Sequence, residues 1–206
     1  MKKQRVCVIG GGLTGLVTSI VLSELNLDID LIASNFYQNH RGIRTTALSH
    51  DSYLFLRKNN VFNSNQADLW PCNEVKLYEV DNNLKREKVL NFSKEDKNNL
   101  LYMITNNKIS QIMKDKIRNN YKINVKSNIE VKKLFDADGI KFIETIDKNS
   151  FKYDLIILCT GKNSFLTKEF LGTKYSDFSS DETSVINTID HERKKNNIAR
   201  QFFLEE

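Results

Sequence analysis

Apolar and polar positions follow two different periods along the chain, and the N-terminal segment shows both. An apolar run at 5–9 is followed by a glycine-rich turn and by a segment at 13–25 in which apolar residues recur every three to four positions. A second apolar run covers 29–33, after a turn at Asn26. This pattern predicts a strand, a helix and a second strand. A right-handed crossover places two such strands side by side in a parallel sheet.

The pattern up to residue 100 then predicts a loop, a helix and a hairpin. Polar residues dominate at 34–44, and helical spacing extends over 47–58. Alternation of apolar and polar residues predicts strands at 75–80 and 89–92, joined by a short polar turn.

The second half of the chain returns to helical spacing and ends in strands. The spacing predicts a helix over 100–117, and strand-like runs follow at 129–135, 140–146 and 151–158. The last run contains four apolar residues at 155–158, a pattern that is typical of a central strand in a parallel sheet. We therefore expect an α/β fold in which a parallel sheet carries additional β structure.

Composition and charge exclude several classes of protein. The chain has 206 residues, with 31 basic and 26 acidic side chains and a net charge of +5. The charges are scattered along the chain, so we expect no nucleic-acid partner. The mean hydropathy is −0.46, and no apolar run approaches the roughly 18 residues of a membrane-spanning helix.

The spacing of cysteine and histidine indicates neither a metal site nor a disulfide framework. The three cysteines lack C-x-x-C spacing, which fits a reducing cytoplasm. Cys7 and Cys159 lie in apolar runs, and we expect both thiols to be buried. The histidines, which are expected at the surface or in loops, are His40, His50 and His191.

The turn after the first strand has the spacing G-x-G-x-x-G, which binds the pyrophosphate of a dinucleotide when a strand precedes it and a helix follows. Gly10 permits the sharp turn, Gly12 lets the backbone approach a phosphate, and Gly15 lets the helix pack close to the strand. Free N–H groups at the helix N-terminus face the phosphate charge. The predicted cofactor-binding residues here are Gly10, Gly11, Gly12, Leu13, Thr14 and Gly15.

Three other interpretations of these segments are disfavoured. A secretory signal peptide ending near Leu22 would contain four glycines and no A-x-A-like cleavage site. A short-chain dehydrogenase would need a tyrosine with a lysine four residues later, and no tyrosine of the chain has one. The pair Gly161-Lys162 lacks the earlier glycine of a phosphate-binding P-loop, because Ile156 stands there.

Two further segments complete a family resemblance. Arg44-Thr45-Thr46-Ala47-Leu48-Ser49 follows the second strand, and an apolar strand leads into Thr160-Gly161 much later. With the glycine turn, these segments resemble the ubiquinone-biosynthesis hydroxylases, a branch of the FAD-dependent aromatic hydroxylases built like p-hydroxybenzoate hydroxylase. The order and spacing match along essentially the whole chain, as the N-terminal half of that family.

The resemblance implies a fold and a set of further site residues. It implies a Rossmann-like FAD-binding domain with β insertions, at 1–70 and 100–175, and part of a mixed α+β substrate domain at 71–99 and 176–206. In the family the arginine of R-x-x-A-L-S reaches FAD, and it falls on Arg44 here; a solvated loop arginine is the alternative. Further matched positions are Asn107, which either contacts the flavin or caps a helix, and Gly161.

The sequence also departs from the family at charged positions. The carboxylate that ends the second strand and holds the adenosine ribose is replaced by Ala33, and Ser34 or Asn35 offers only a weaker hydrogen bond. The family's aspartate before glycine is Thr160 here, and the arginine that follows it falls on Thr167. The resemblance therefore leaves ribose binding and reduction by NAD(P)H in question.

The resemblance implies an FAD-dependent monooxygenase that hydroxylates a polyprenyl phenol in ubiquinone biosynthesis, with NAD(P)H as reductant. It identifies no catalytic residue in this chain. The alternative is a non-catalytic fragment or remnant that retains only a nucleotide-binding core. We expect a cytoplasmic protein, with contact to the inner membrane or to a biosynthetic complex left open, and with the C-terminal half of the fold either missing or supplied by another chain.

Overall fold

The computed structural model describes residues 3–38, 42–62, 69–81, 83, 85–93, 99–161, 164–171, 185, 187 and 197–204. The chain divides into two compact units. The first unit comprises Met1–Arg41 with Ile109–Ser184, and the second comprises Gly42–Lys108 with Val185–Glu206. The predicted boundaries of a cofactor domain and a substrate domain stay a prediction, because compactness alone assigns no ligand to either unit.

The described residues form mostly strands, with four helices between groups of strands. The strands are β1 (Gln4–Ile9), β2 (Leu27–Ile32), β3 (Thr45–Ser49), β4 (Trp70–Cys72), β5 (Glu74–Val80), β6 (Arg86–Ser93), β7 (Leu101–Thr105), β8 (Ile123–Lys126), β9 (Val131–Ala137), β10 (Ile140–Thr145), β11 (Ser150–Tyr153), β12 (Leu155–Leu158) and β13 (Ile198–Leu204). The helices are α1 (Leu13–Leu22), α2 (His50–Lys58), α3 (Asn106–Arg118) and α4 (Phe165–Leu171). None of these helices is long and apolar enough to cross a membrane.

The first unit is built on a parallel sheet of four strands in the order β12-β1-β2-β8. Helix α1 packs on this sheet against β1 and β2. The antiparallel sheet β11-β10-β9 covers the opposite face, where Cys7 and Ile9 of β1 join Ile143 and Tyr153 in one apolar cluster. The predicted α/β fold, with a strand–helix–strand unit at its start, is confirmed.

A buried carboxylate connects the two sheets of the first unit. Asp30 on β2 accepts hydrogen bonds from the Tyr153 hydroxyl at 2.6 Å and from the Asn124 amide at 2.8 Å. The cations of Arg5 and Lys126 lie 3.4 and 3.8 Å from the same carboxylate. Because a buried charge is costly without partners, these four groups make Asp30 tolerable in the core and tie β1, β2, β8 and β11 together.

Helix α1 ends at Leu22, three residues before the predicted end. The N–H groups of Glu24 and Leu25 donate to carbonyls three residues back, at 3.2 and 3.0 Å, so the chain tightens into a turn. The carbonyl of Ser23 accepts a hydrogen bond from the Lys122 ammonium at 2.9 Å. A side chain from a distant segment therefore satisfies a carbonyl that further helix would have used.

Two predicted helices each begin with a strand instead. The prediction of a helix over 47–58 is wrong for its first residues, which belong to β3, and the prediction over 100–117 is wrong for the residues of β7. These two strands pair antiparallel, from Thr45 opposite Thr105 to Ser49 opposite Leu101. Their partners lie far apart in the sequence, so local spacing did not reveal the pairing.

The run at 151–158 was predicted as one strand and is two. Asp154 interrupts it, because its carboxylate accepts the backbone N–H of Arg5 at 2.7 Å. The chain thereby passes from the antiparallel sheet at β11 to the parallel sheet at β12. Among the described strands, β12 lies at one edge of the parallel sheet, and Leu155 is 48% exposed. The prediction that 155–158 forms a central strand is therefore wrong.

The second unit contains two three-stranded sheets, β3-β7-β4 and β13-β5-β6, together with α2. The predicted hairpin is confirmed as the antiparallel pair β5 and β6. Besides β3 and β7, which were predicted as helix, the strands β4 and β13 of this unit lie in segments for which no element was predicted. An aromatic stack joins Tyr53 of α2 to Tyr102 of β7, with ring centroids 4.0 Å apart. His50 begins α2 half-buried beside Tyr102 rather than at the surface, and His40 and His191 lie outside the described residues.

We expect Tyr153→Phe to lower the free energy of unfolding by about 1–3 kcal/mol, because it removes the shortest hydrogen bond of a buried carboxylate. Chemical denaturation followed by circular dichroism measures the change. Tyr121→Phe is the matched control, since the Tyr121 side chain is 93% exposed. Equal stabilities for the two variants would contradict the structural role of Asp30.

Burial, and secondarily the charge of Asp30, raises the pKa of Cys7 to about 12. Roughly one Cys7 thiol in 10,000 is then ionised near pH 8, so we expect a thiol reagent to label Cys7 only after unfolding. A variant that keeps Cys7 as its single cysteine isolates the signal. Fast labelling of the folded variant would contradict this burial.

The raised pKa of Cys7 also makes the stability of the fold depend on pH. Because the pKa is raised in the folded state, the stability that the neutral thiol contributes is present below about pH 9 and is lost as the pH rises towards 12.

Candidate functional site

Backbone contacts at two glycines of the turn leave no room for a side chain. Gly10 has a φ of +126°, and a Cβ at this position would lie 2.2 Å from the carbonyl oxygen of Cys159. A Cβ at Gly15 would lie 1.9 Å from the carbonyl oxygen of Gly10. The end of β1, the first turn of α1 and the exit of β12 therefore meet at van der Waals distance, and only glycine fits at both positions.

The start of α1 is open towards a ligand. Gly12 precedes the helix with extended backbone, and no side chain caps the first turn or places an acidic group there. A Cβ at Gly12 would meet nothing within 4 Å. Leu13 is half-buried and Thr14 is exposed. The uncapped N–H groups and the positive end of the helix dipole together suit a phosphate.

A cleft of about 540 Å³ lies at the carboxyl end of the parallel sheet. Gly10, Gly11 and Ser34 line it, so the structure brings three of the predicted site residues together. Residues 129–131 and the residues that begin α4 also line the cleft. Its volume is in the range of small-molecule and cofactor sites, which cover roughly 300–1,000 Å³.

The end of β2 has no charged group for a ribose. Ala33 is 3% exposed, and its N–H donates to the Lys126 carbonyl at 3.1 Å. Ser34 and Asn35 after it are exposed. The turn thus fits a pyrophosphate, while the position that holds a ribose in the resembled family offers only a methyl group.

Threonine replaces both the aspartate and the arginine that the resembled family has at and after the segment Thr160-Gly161. The hydroxyl oxygens of Thr160 and Thr167 lie 2.9 Å apart and share a hydrogen bond. Gly161, with a φ of +82° and open space around it, turns the chain from β12 towards α4. A neutral contact therefore stands where the resembled family has an aspartate and an arginine.

Arg44 and Asn107 belong to the second unit, so their roles at a cofactor stay predictions. Arg44 is exposed, and its carbonyl accepts the N–H of Asn106 at 2.8 Å. The possibility that Asn107 caps α3 is wrong, because the Thr105 hydroxyl accepts the N–H of Lys108 at 3.3 Å and Asn107 lies exposed in the first turn.

No group of three or more metal-ligating side chains occurs in the described part of the chain. Cys159, predicted to be buried, is half-buried beside the glycine turn, and burial raises the pKa of its thiol. The Cys159 thiol is therefore not an activated nucleophile.

Residues 129–131 were not identified from the sequence as part of the cleft. Glu130 and its neighbours follow β8, a strand of four residues that was not predicted. The signal was the short alternation in Ile123-Asn124-Val125, placed before an expected strand at 129. Had β8 been recognised, the residues after it would have been expected at the carboxyl edge of the sheet, where ligands of such folds bind.

A family model described as "Glucose inhibited division protein A" matches residues 5–183 of the chain. The matched range includes the glycine turn, the residues that line the cleft and the segment Thr160-Gly161. A comparison with curated proteins finds no match.

Solved structures of several oxygenases have a similar fold. The p-nitrophenol 4-monooxygenase PnpA from Pseudomonas putida DLL-E4 superposes with a TM-score of 0.67 at 16% identity, over 84% of this chain and 44% of that one. The 2-methyl-3-hydroxypyridine-5-carboxylic acid oxygenase, in its Y270A mutant, gives a TM-score of 0.63 at 17% identity, over 80% and 41%. This chain spans less than half the length of both structures, and the likeness shows the fold.

Substitution by alanine separates the two kinds of glycine in the turn. We expect Gly15→Ala to lower the free energy of unfolding by about 1–3 kcal/mol, since its methyl group would overlap the Gly10 carbonyl. Gly12→Ala adds its methyl group in open space, so its cost should stay below about 1 kcal/mol. Thermal unfolding of the two variants side by side checks the difference, and the reverse order would refute the described geometry.

Proposed function

We propose that this chain, which belongs to the glucose inhibited division protein A family, binds FAD at the glycine turn and in the cleft beside it. The observation that carries the proposal is the turn itself, in which Gly10 and Gly15 are packed against backbone while Gly12 stands open before an uncapped helix. The fold is that of FAD-dependent oxidoreductases, as its likeness to solved monooxygenases indicates. Bound FAD would supply the redox chemistry.

The residues of this chain would bind and position the cofactor. Backbone N–H groups of Gly12, Leu13 and Thr14 would donate to pyrophosphate oxygens at the positive end of α1. The adenosine half would occupy the cleft, whose apolar wall includes Ile129 and Val131. Arg44 would add a charge-assisted hydrogen bond if the second unit brings it to the cofactor. Gly161 would let the chain turn close to the flavin half.

A finer proposal concerns the reaction. We propose hydroxylation of a polyprenyl phenol in ubiquinone biosynthesis, with NAD(P)H as reductant, on the strength of the R-x-x-A-L-S segment at Arg44. The name of the similar structure PnpA, a p-nitrophenol 4-monooxygenase, agrees with a phenol as substrate. A polyprenyl substrate favours contact with the inner membrane or with a biosynthetic complex. The remaining half of the fold would come from further residues or from another chain.

The second candidate is an FAD-binding protein without hydroxylase activity. The neutral Thr160–Thr167 contact favours it, because the aspartate and arginine at these positions in the resembled family are associated with FAD and NAD(P)H. The two candidates differ in one measurement. Oxidation of NAD(P)H by the FAD-loaded protein, with formation of a hydroxylated phenol, supports the enzyme, and FAD binding without such a product supports the second candidate.

We expect the purified chain to retain FAD in near-equimolar amount after gel filtration, as measured by its visible spectrum. Gly12→Asp should lower the affinity for FAD by about 100-fold or more, because it places a negative charge at the pyrophosphate. Arg44→Ala should lower it by about tenfold through the loss of one charge-assisted hydrogen bond.

The control for Arg44→Ala is Arg200→Ala, which removes an exposed arginine from β13 of the same unit. Its affinity for FAD should equal that of the unaltered chain. A folded, monodisperse chain that retains no flavin would reject the proposed function.

A further inference from the structure

We propose that the carboxylate of Glu130 holds the adenosine ribose hydroxyls, in place of the missing acidic residue at the end of β2. This inference rests on the proposed binding of FAD. It assigns to the segment after β8 a role that Ala33 cannot perform, since Ala33 presents only a methyl group. The ligand class is an adenine nucleotide with free ribose hydroxyls.

The parallel register brings the two segments to one edge of the sheet. Ile32 at the end of β2 lies opposite Lys126 at the end of β8. The N–H of Ala33 donates to the Lys126 carbonyl at 3.1 Å, so the pairing continues past the end of β2. Four residues later the chain reaches Glu130, and both Ala33 and Glu130 line the cleft.

The Glu130 backbone is held while its carboxylate is available. Its carbonyl accepts the N–H of Ile146 at 3.1 Å, which fixes the main chain at the cleft wall. Glu130 is exposed, and no ion pair or side-chain hydrogen bond to another described residue engages its carboxylate. The nearest lysine along the chain, Lys132, instead lies 3.2 Å from the carboxylate of Glu144, and Lys126 lies against Asp30 and the Phe151 ring.

Glu130 is also the one charged residue among the described residues that line the cleft. The polar groups around it, such as those of Ser34, Thr160 and Ser164, are neutral hydroxyls. A carboxylate accepts hydrogen bonds from both hydroxyls of a ribose, and such charge-assisted bonds are stronger than those between neutral groups. The same charge would repel a phosphate. Removal of the charge should therefore weaken nucleotide binding if the carboxylate faces the ribose, and strengthen it if the carboxylate faces a phosphate.

The test measures the affinity of the full chain for FAD, ADP and 2′-deoxy-ADP, from flavin fluorescence and competition. The unaltered chain should bind ADP about tenfold more tightly than 2′-deoxy-ADP. Glu130→Gln should lose about tenfold in affinity for FAD and ADP and should bind the two ADP probes equally. Glu24→Gln, the same change at an exposed position after α1, should behave as the unaltered chain. Thermal unfolding confirms that each variant is folded.

Several outcomes would overturn the assignment. If Glu130→Gln binds FAD as tightly as the unaltered chain or more tightly, the ribose is not held by Glu130, although the chain still binds FAD. Loss of ribose discrimination in Ser34→Ala, with discrimination retained in Glu130→Gln, would assign the ribose to Ser34 instead. A folded, unaltered chain that binds neither FAD nor ADP would reject the proposed function together with this inference.

Discussion

The first unit depends on one close contact between backbones at Gly10. The carbonyl of Cys159 and the first turn of α1 both approach this residue at distances that a single methyl group would violate. Hydrogen bonds fix the approach from both sides, since the Cys159 N–H donates to Ile9 at 2.7 Å and the Gly10 N–H donates to Ile32 at 2.9 Å. The carboxyl ends of β12, β1 and β2 are therefore aligned before any ligand arrives, and the near wall of the cleft is preorganised.

Charge is distributed unevenly between the scaffold and the site. In the scaffold, Asp30 keeps its carboxylate in the core because Arg5, Lys126, Asn124 and Tyr153 surround it. At the cofactor end, positions that are charged in the resembled family carry a methyl group or hydroxyls. In the proposed complex, the pyrophosphate depends on backbone N–H groups and the helix dipole, and Glu130 supplies the one charge among the described residues of the cleft. Such a site can hold a dinucleotide while offering few groups that move protons.

The sequence predicted those features that nearby residues determine. The unit β1-α1-β2 follows from an apolar run, a glycine turn and helical spacing, and the hairpin of β5 and β6 follows from alternation. The strand β3 was missed because its partner β7 is distant in the sequence, and the break at Asp154 depends on a bond to the Arg5 backbone.

The candidate site shows the same division. The glycine turn was evident from its motif, because each glycine has a local backbone reason. Residues 129–131 of the cleft were not evident, because their position depends on β8, whose four residues are too few for a periodic signal. Glu130 became visible as a candidate only when the register of β2 and β8 was known.

The outer position of β12 has a consequence for the behaviour of this chain in concentrated solution. Its four apolar residues pair with β1 along one edge, and an apolar cleft of about 240 Å³ adjoins them. No other strand among the described residues pairs with the second edge of β12, and an unpaired strand edge is a template for strands of other copies. The net charge of +5 opposes such encounters only over the screening length, which is about 10 Å at 0.1 M salt. Added salt should therefore weaken the repulsion between copies of the chain.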